Sequence, residues 1–131
     1  MSRKVLRDAI TETQAFQYKL DEPDDYWQTP AETERLGTGD CEDSSVFAIS
    51  KAASQLPGVT FRLVCGNVGK QGHAWVEMDD GKETVWADPL NGTIATPEMF
   101  TDWLPIYAYE WTGKDFGKKY QYVKEETVKK P

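Results

Sequence analysis

The stretch 73–89 constrains the fold more than any other part of the sequence, because two strand-like runs flank an Asp-Gly dipeptide. The runs HAWVEM and TVWADP are rich in β-branched and aromatic residues, and Asp-Gly favours a two-residue hairpin turn. Such a turn pairs Asp79 with Lys82. Counting outward in this register places His73 opposite Asp88, with Cβ atoms about 4.5–5.5 Å apart. The sequence therefore predicts a carboxylate beside the only histidine of the chain.

Helical patterns precede this hairpin, and further strand patterns surround it. Apolar residues recur at helical spacing over roughly 3–15 and again over 42–56, and a capping pattern predicts a short helix over 30–37. Strand patterns occupy 59–65, 73–78, 84–89, 106–111 and 120–123, and a short capped helix is predicted over 96–104. Helices followed by an antiparallel sheet define an α+β fold. A length of 131 residues fits a single domain, 1–131, whose core spans about 20–111.

The charge of the chain disfavours several kinds of partner. A formal net charge of −7 disfavours nucleic acid and anionic membrane surfaces, which both require a basic footprint. We find no transmembrane segment and no signal-peptide pattern in the sequence, so we expect a cytoplasmic protein. The oligomeric state is not predicted by any pattern in the sequence.

The segment GTGDCEDSS places Cys41 in the first turn of the helix predicted over 42–56, with Asp40 as its N-cap. The helix dipole stabilises a thiolate at this position by about 0.3–1 kcal/mol. Asp40, Glu42 and Asp43 oppose the thiolate by like-charge repulsion. A positive charge must therefore come from elsewhere, and His73 is the candidate.

These residues suit a Cys-His-Asp triad. Cys41 would be the nucleophile, His73 the general base and acid, and Asp88 the group that orients the imidazole. The alternative is that Cys41 and its acidic neighbours only cap a helix, and that His73 is a core residue.

Three aromatic or amide residues are candidates for the surrounding cleft. The backbone N–H of Cys41 is a natural oxyanion donor, and Trp27 or Gln28 is a candidate for the second donor. Trp75 is predicted to face Trp86 across the hairpin, as a packing residue first and a cleft wall second.

The same motifs carry a resemblance to a known family. DYWQTPAETERLGTGDCEDSSVFAISKAA, GHAWVEM and VWADPL resemble the transglutaminase-like superfamily, in particular its small bacterial and phage cysteine-peptidase branch. The resemblance covers roughly residues 20–92. The matching positions are Trp27, Pro30, Glu32, Gly39, Asp40, Cys41, Asp43, His73 and Asp88. It implies a papain-like core in permuted order, with the cysteine helix packed on an antiparallel sheet.

The resemblance also implies thiol chemistry on amides. The expected function is hydrolysis of a peptide, isopeptide or side-chain amide in a protein or peptide substrate, through a thioester. The alternatives are acyl transfer of the transglutaminase type and a non-catalytic binding or assembly module, such as a phage accessory protein. No cofactor is required by this chemistry. Calcium is a candidate ligand of Asp40, Glu42 and Asp43, because hard oxygen donors cluster there and some members of the branch bind it beside the cysteine.

Overall fold

A computed structural model describes residues 2–14, 17–18, 38–39, 41–113 and 116–121. The helix predicted over 30–37 and the candidate site residues Trp27, Gln28 and Asp40 lie outside this described part. The helices are α1 (Ser2–Thr13) and α2 (Cys41–Gln55), which confirm the first and the central helix predicted from the sequence. The strands are β1 (Gln17–Tyr18), β2 (Thr38–Gly39), β3 (Thr60–Val68), β4 (Gln71–Asp79), β5 (Thr84–Ala87), β6 (Ile94–Ala95), β7 (Trp103–Trp111) and β8 (Phe116–Gln121).

The main sheet has six strands in the order β6-β5-β4-β3-β7-β8, and each neighbouring pair is antiparallel. β1 and β2 form a separate parallel pair. Helices that precede an antiparallel sheet make the fold α+β, as predicted.

Both faces of the sheet are covered by packed side chains. Successive residues of a strand point to opposite faces, so β4 contributes to two clusters. The helix-side cluster contains residues of α1, α2 and the facing side of the sheet, among them Leu6, Ile10, Cys41, Ile49, Leu63, Ala74, Val76, Met78 and Ala87. The tryptophan cluster on the other face contains Val64, Trp75, Trp86, Phe100 and Ala108, with Trp103 packed against it.

A buried acid on β4 is satisfied by polar partners. Glu77 is 6% exposed, and its Oε2 lies 2.7 Å from Arg62 Nη1 on β3. Its other oxygen accepts a hydrogen bond of 3.0 Å from the Trp86 indole nitrogen. These contacts offset the cost of burying the carboxylate, which explains how a charged residue fits within the continuous buried run 74–78.

The hairpin forms as predicted, but its register is different. The closing pair is Asp79 with Thr84, so the loop comprises residues 80–83. The Asp80 side chain organises this loop by accepting hydrogen bonds from the backbone N–H groups of Lys82 (2.9 Å) and Glu83 (3.0 Å). The prediction of a pair between Asp79 and Lys82 was wrong by two residues. A shift of two preserves the face of every side chain, because strand alternation has a period of two.

The prediction of a helix over 96–104 was also wrong in extent. Only a 3-10 turn, Pro97–Met99, forms there, and Thr96 makes no side-chain capping bond to it. β7 begins at Trp103, which pairs with Val68 of β3. The Trp103 ring lies 4.7 Å from that of Phe100 and 4.9 Å from that of Trp75, so tertiary packing overrides the local helical pattern.

Candidate functional site

His73 and Asp88 are in direct contact. Nε2 of His73 lies 3.0 Å from Oδ1 of Asp88, and the two side chains are 11% and 4% exposed. In the observed register the two residues are diagonal neighbours rather than directly opposed, since pairing between β4 and β5 ends at Val76 and Ala87. The same Oδ1 accepts a hydrogen bond of 3.0 Å from the backbone N–H of Leu90. This geometry fixes the imidazole orientation through Nε2, and Nδ1 is the ring nitrogen that does not face Asp88.

Aromatic rings surround the imidazole on the tryptophan-cluster face. The His73 ring centroid is 5.2 Å from Trp103, edge to face, and 6.1 Å from Trp75. Trp75 is completely buried, and its ring lies 5.1 Å from Trp86, the contact predicted across the hairpin. Among the described residues no acceptor lies within hydrogen-bonding distance of Trp75 Nε1. Trp75 therefore acts in packing here, and it shields one side of the imidazole from water.

Cys41 begins α2 and is 8% exposed. It packs in the helix-side cluster, which also contains Ala74, the neighbour of His73 along β4. Its Sγ lies 3.3 Å from Oε1 of Glu42. A carboxylate at this distance favours the protonated thiol, whereas the start of α2 favours the thiolate. Of the groups from which the sequence predicted opposing effects on Cys41, the structure describes the start of α2 and the Glu42 carboxylate, whereas Asp40 lies outside the described residues.

The acids next to Cys41 meet the requirements of calcium only in part. Glu42 and Asp43 lie in the first turn of α2, and Asp43 is completely buried. Carboxylate oxygens are the donors that calcium prefers. Within the part of the chain that the structure describes, no group of three acidic, histidine or cysteine side chains converges to hold an ion. Asp40, the third ligand that the sequence predicted for calcium, lies outside that part.

The end of α1 holds the loop that carries Asp88. Nε2 of Gln14 donates to the carbonyl oxygens of Pro89 (2.5 Å) and Leu90 (3.2 Å). The Thr13 hydroxyl, which is 3% exposed, lies 2.6 Å from the carbonyl oxygen of Ile10 and 3.3 Å from that of Pro89. Sequence reasoning missed the contacts with Pro89 and Leu90, because a Thr-Gln pair at a helix end forms no motif and these partners are 75 or 76 positions away.

A pocket of about 290 Å³ opens beside the His73–Asp88 pair. Its other described walls come from the end of β3, the start of β4, the loop after β5 and the start of β7. The lining residues are Val68, Gln71, Gly72, Leu90, Asn91 and Trp103. Sequence reasoning missed this pocket too, since Leu90, Asn91 and Trp103 gain significance only when the sheet brings them to His73.

A cysteine at the start of a helix, packed on an antiparallel sheet that carries a His–Asp pair, is the arrangement that the sequence resemblance to the transglutaminase-like superfamily implies. The chain is similar to solved structures of LapG from Legionella pneumophila. One LapG structure aligns with a TM-score of 0.74 and 20% identity over 99% of this chain and 75% of LapG. The EGTA-treated form aligns with a TM-score of 0.71 and 22% identity over 90% of this chain and 72% of LapG. The calcium-bound form aligns with a TM-score of 0.70 and 23% identity over 88% of this chain and 71% of LapG.

These similarities establish a shared fold. No family model and no curated protein sequence matches the chain. In the described part of the chain, neither helix combines the length and the apolar character needed to span a bilayer.

Proposed function

We propose that this protein is a thiol-dependent amide hydrolase in which Cys41, His73 and Asp88 form the catalytic triad. The contact of 3.0 Å between His73 and Asp88 carries the proposal, because it supplies an oriented imidazole. Two further observations support it: Cys41 lies at the positive end of α2, and the fold is shared with LapG. The substrate is a protein or peptide amide.

The reaction proceeds in two half-reactions that share one proton carrier. His73 Nδ1 accepts the thiol proton, and the thiolate attacks the carbonyl carbon, so that a C–S bond forms and the π pair moves to oxygen. When the tetrahedral intermediate collapses, the C–N bond breaks and the imidazolium returns its proton to the leaving amine. Water then attacks the thioester, the imidazole takes a proton from it, and the C–S bond breaks to release a carboxylic acid and the thiol.

The proposal imposes a geometric requirement on the two sheet faces. Alternation along β4 puts His73 on the face of the tryptophan cluster, whereas Cys41 packs in the helix-side cluster. His73 is the third residue of β4. The thiol and the imidazole must therefore meet at the end of the sheet where β4 begins, next to the start of α2.

Selective alkylation of the two cysteines tests the proposal. Cys41 is buried and Cys65 is half-buried, and both are thiols. Exposure alone thus makes Cys65 the faster to react with iodoacetamide. We expect the reverse by mass spectrometry, with a pH midpoint for Cys41 well below about 8.5, the ordinary value of a cysteine thiol.

The matched controls are His73→Ala and Asp88→Asn. Each is expected to slow alkylation of Cys41 at pH 7 at least tenfold while Cys65 keeps its rate, with the fold checked by circular dichroism. Faster labelling of Cys65 in the unmodified protein, or no effect of His73→Ala, would favour the non-catalytic binding module. Acyl transfer is distinguished from hydrolysis by adding an amine to the acyl-enzyme and measuring the product masses by mass spectrometry. Transfer gives the new amide, and hydrolysis gives the carboxylic acid.

A further inference from the structure

The pocket beside His73 has a definite chemical character. Val68, Leu90 and Trp103 give it apolar walls, and Gln71 and Asn91 contribute neutral carboxamides. Among its described lining residues the only ionisable side chains are His73 and Asp88, which are bonded to each other. The pocket therefore offers apolar surface and neutral hydrogen-bonding groups, but no described counter-ion for a charged ligand.

The position of the pocket relates it to one side of the scissile amide. In the proposed reaction the imidazole gives its proton to the leaving nitrogen, so the substituent on that nitrogen must lie beside the imidazole. The described walls of the pocket come from β3, β4, the loop after β5 and β7, with His73 at their border. The acyl carbon, in contrast, is bonded to Cys41 at the start of α2.

We infer that this pocket binds the side chain on the amine side of the cleaved bond and selects an uncharged, apolar side chain. The inference rests on the proposed function for its orientation, but binding to the pocket is measurable without any reaction. A volume of about 290 Å³ accommodates a side chain of the size of leucine.

Burial and desolvation both favour an apolar occupant. Leu90 is 53% exposed, so a ligand side chain that covers it removes apolar surface from water on both partners. A lysine or aspartate side chain would lose hydration, and among the described lining residues the only ionisable groups, His73 and Asp88, already bond to each other. The net charge of −7 attracts cations at long range, so a preference for an apolar over a cationic side chain must come from the pocket itself.

The test is an NMR titration of the ¹⁵N-labelled protein with amino-acid amides, which are the amine products that such substrates release. We expect L-leucinamide to shift the Trp103 indole N–H and the Leu90 amide saturably. Its Kd should be at least tenfold lower than those of L-lysinamide and glycinamide. Equal affinities for leucinamide and lysinamide, or leucinamide shifts confined to other parts of the chain, would overturn the inference.

Leu90→Asp and its control Met99→Asp sharpen the test. Leucine and methionine are both apolar, and Leu90 and Met99 are both exposed. Met99, however, is not among the described pocket residues. Leu90→Asp should weaken leucinamide binding at least fivefold and strengthen lysinamide binding, whereas Met99→Asp should change neither. Equal effects of the two variants contradict the inference.

The outcome is distinguishable from failure of the proposed function. Selective leucinamide binding without selective alkylation of Cys41 rejects the hydrolase and keeps the pocket as an apolar binding site. Selective alkylation without discrimination among the amides keeps the hydrolase and rejects the selectivity assigned to this pocket.

Discussion

The backbone of Leu104 on β7 lies so close to Gly66 of β3 that no residue with a Cβ atom fits at position 66. A Cβ at Gly66 would collide with the carbonyl oxygen of Leu104 and would lie 2.9 Å from Cα of Pro105. A β-bulge interrupts the β3–β7 pairing at this point, and on its other side Gly66 pairs with His73. The close approach of β7 therefore depends on a glycine directly beside the candidate catalytic histidine.

We predict that Gly66→Ala destabilises the protein by about 1–3 kcal/mol, because the obstructing atoms belong to backbone and cannot rotate away. Urea denaturation measures the change. Gly72→Ala on β4 is the matched control, since a Cβ there meets nothing within 4 Å. A Gly66→Ala variant as stable as Gly72→Ala would show that β7 moves aside without cost.

Gln14 is predicted to hold the loop that carries Asp88. Gln14→Ala removes the donor shared by the carbonyl oxygens of Pro89 and Leu90 and should cost about 1 kcal/mol of stability. Hydrogen exchange of the Leu90 amide, which bonds to Asp88, should accelerate.

The control for Gln14→Ala is Gln55→Ala. Gln55 also donates through its side-chain amide, but to Lys51 within α2 and at an exposed position. Gln55→Ala should leave hydrogen exchange of the Leu90 amide unchanged. Equal exchange of the Leu90 amide in both variants would mean that the loop is held by its own turn.

Local chemistry predicted the elements of this fold better than their exact pairing. The apolar spacing of Leu6 and Ile10 identified α1, and the residues around Asp80 identified a hairpin. The register failed because the Asp80 carboxylate closes a longer loop than the Asp-Gly dipeptide alone predicts. The shared face of His73 and Asp88 survived this error, since a two-residue shift does not change alternation.

Contacts between distant segments were beyond the reach of sequence reasoning. Gln14 has no local signature of its contact with Pro89. The segment around Trp103 has a helix-like pattern, yet it pairs as a strand because Val68 and the tryptophan cluster lie next to it. Long-range packing decides such cases, and a single sequence does not encode it in any short pattern.

Asp80 gives the stability of the hairpin a predictable dependence on pH. Backbone N–H groups of Lys82 and Glu83 donate to its carboxylate and lower the pKa of Asp80 below its ordinary value. Because the pKa of Asp80 is lower in the folded than in the unfolded state, its carboxylate stabilises the fold fully above the unfolded-state pKa, about 3.9. This stabilisation is lost as the pH falls through the folded-state pKa.

The difference in Tm between the unmodified protein and Asp80→Ala should therefore shrink as the pH falls from 5 to 3. Asn91→Ala is the control, because Asn91 Oδ1 accepts a similar bond of 2.9 Å from the Thr93 N–H but does not titrate. Its Tm difference should stay constant with pH. A constant difference for Asp80→Ala would exclude the carboxylate as the titrating group.

Calcium binding next to Cys41 is testable by thermal stability, because a ligand that binds only the folded state raises Tm. At a calcium concentration a hundredfold above Kd the gain is about 2.7 kcal/mol. We expect Tm to rise when EGTA is replaced by calcium, and the rise to vanish in Asp40→Asn and Glu42→Gln. Glu98→Gln, an exposed acid in the 3-10 turn, should retain it. Identical Tm values in EGTA and calcium would contradict calcium binding at this site. The contact of Glu42 with the Cys41 thiol would then be its only described role there.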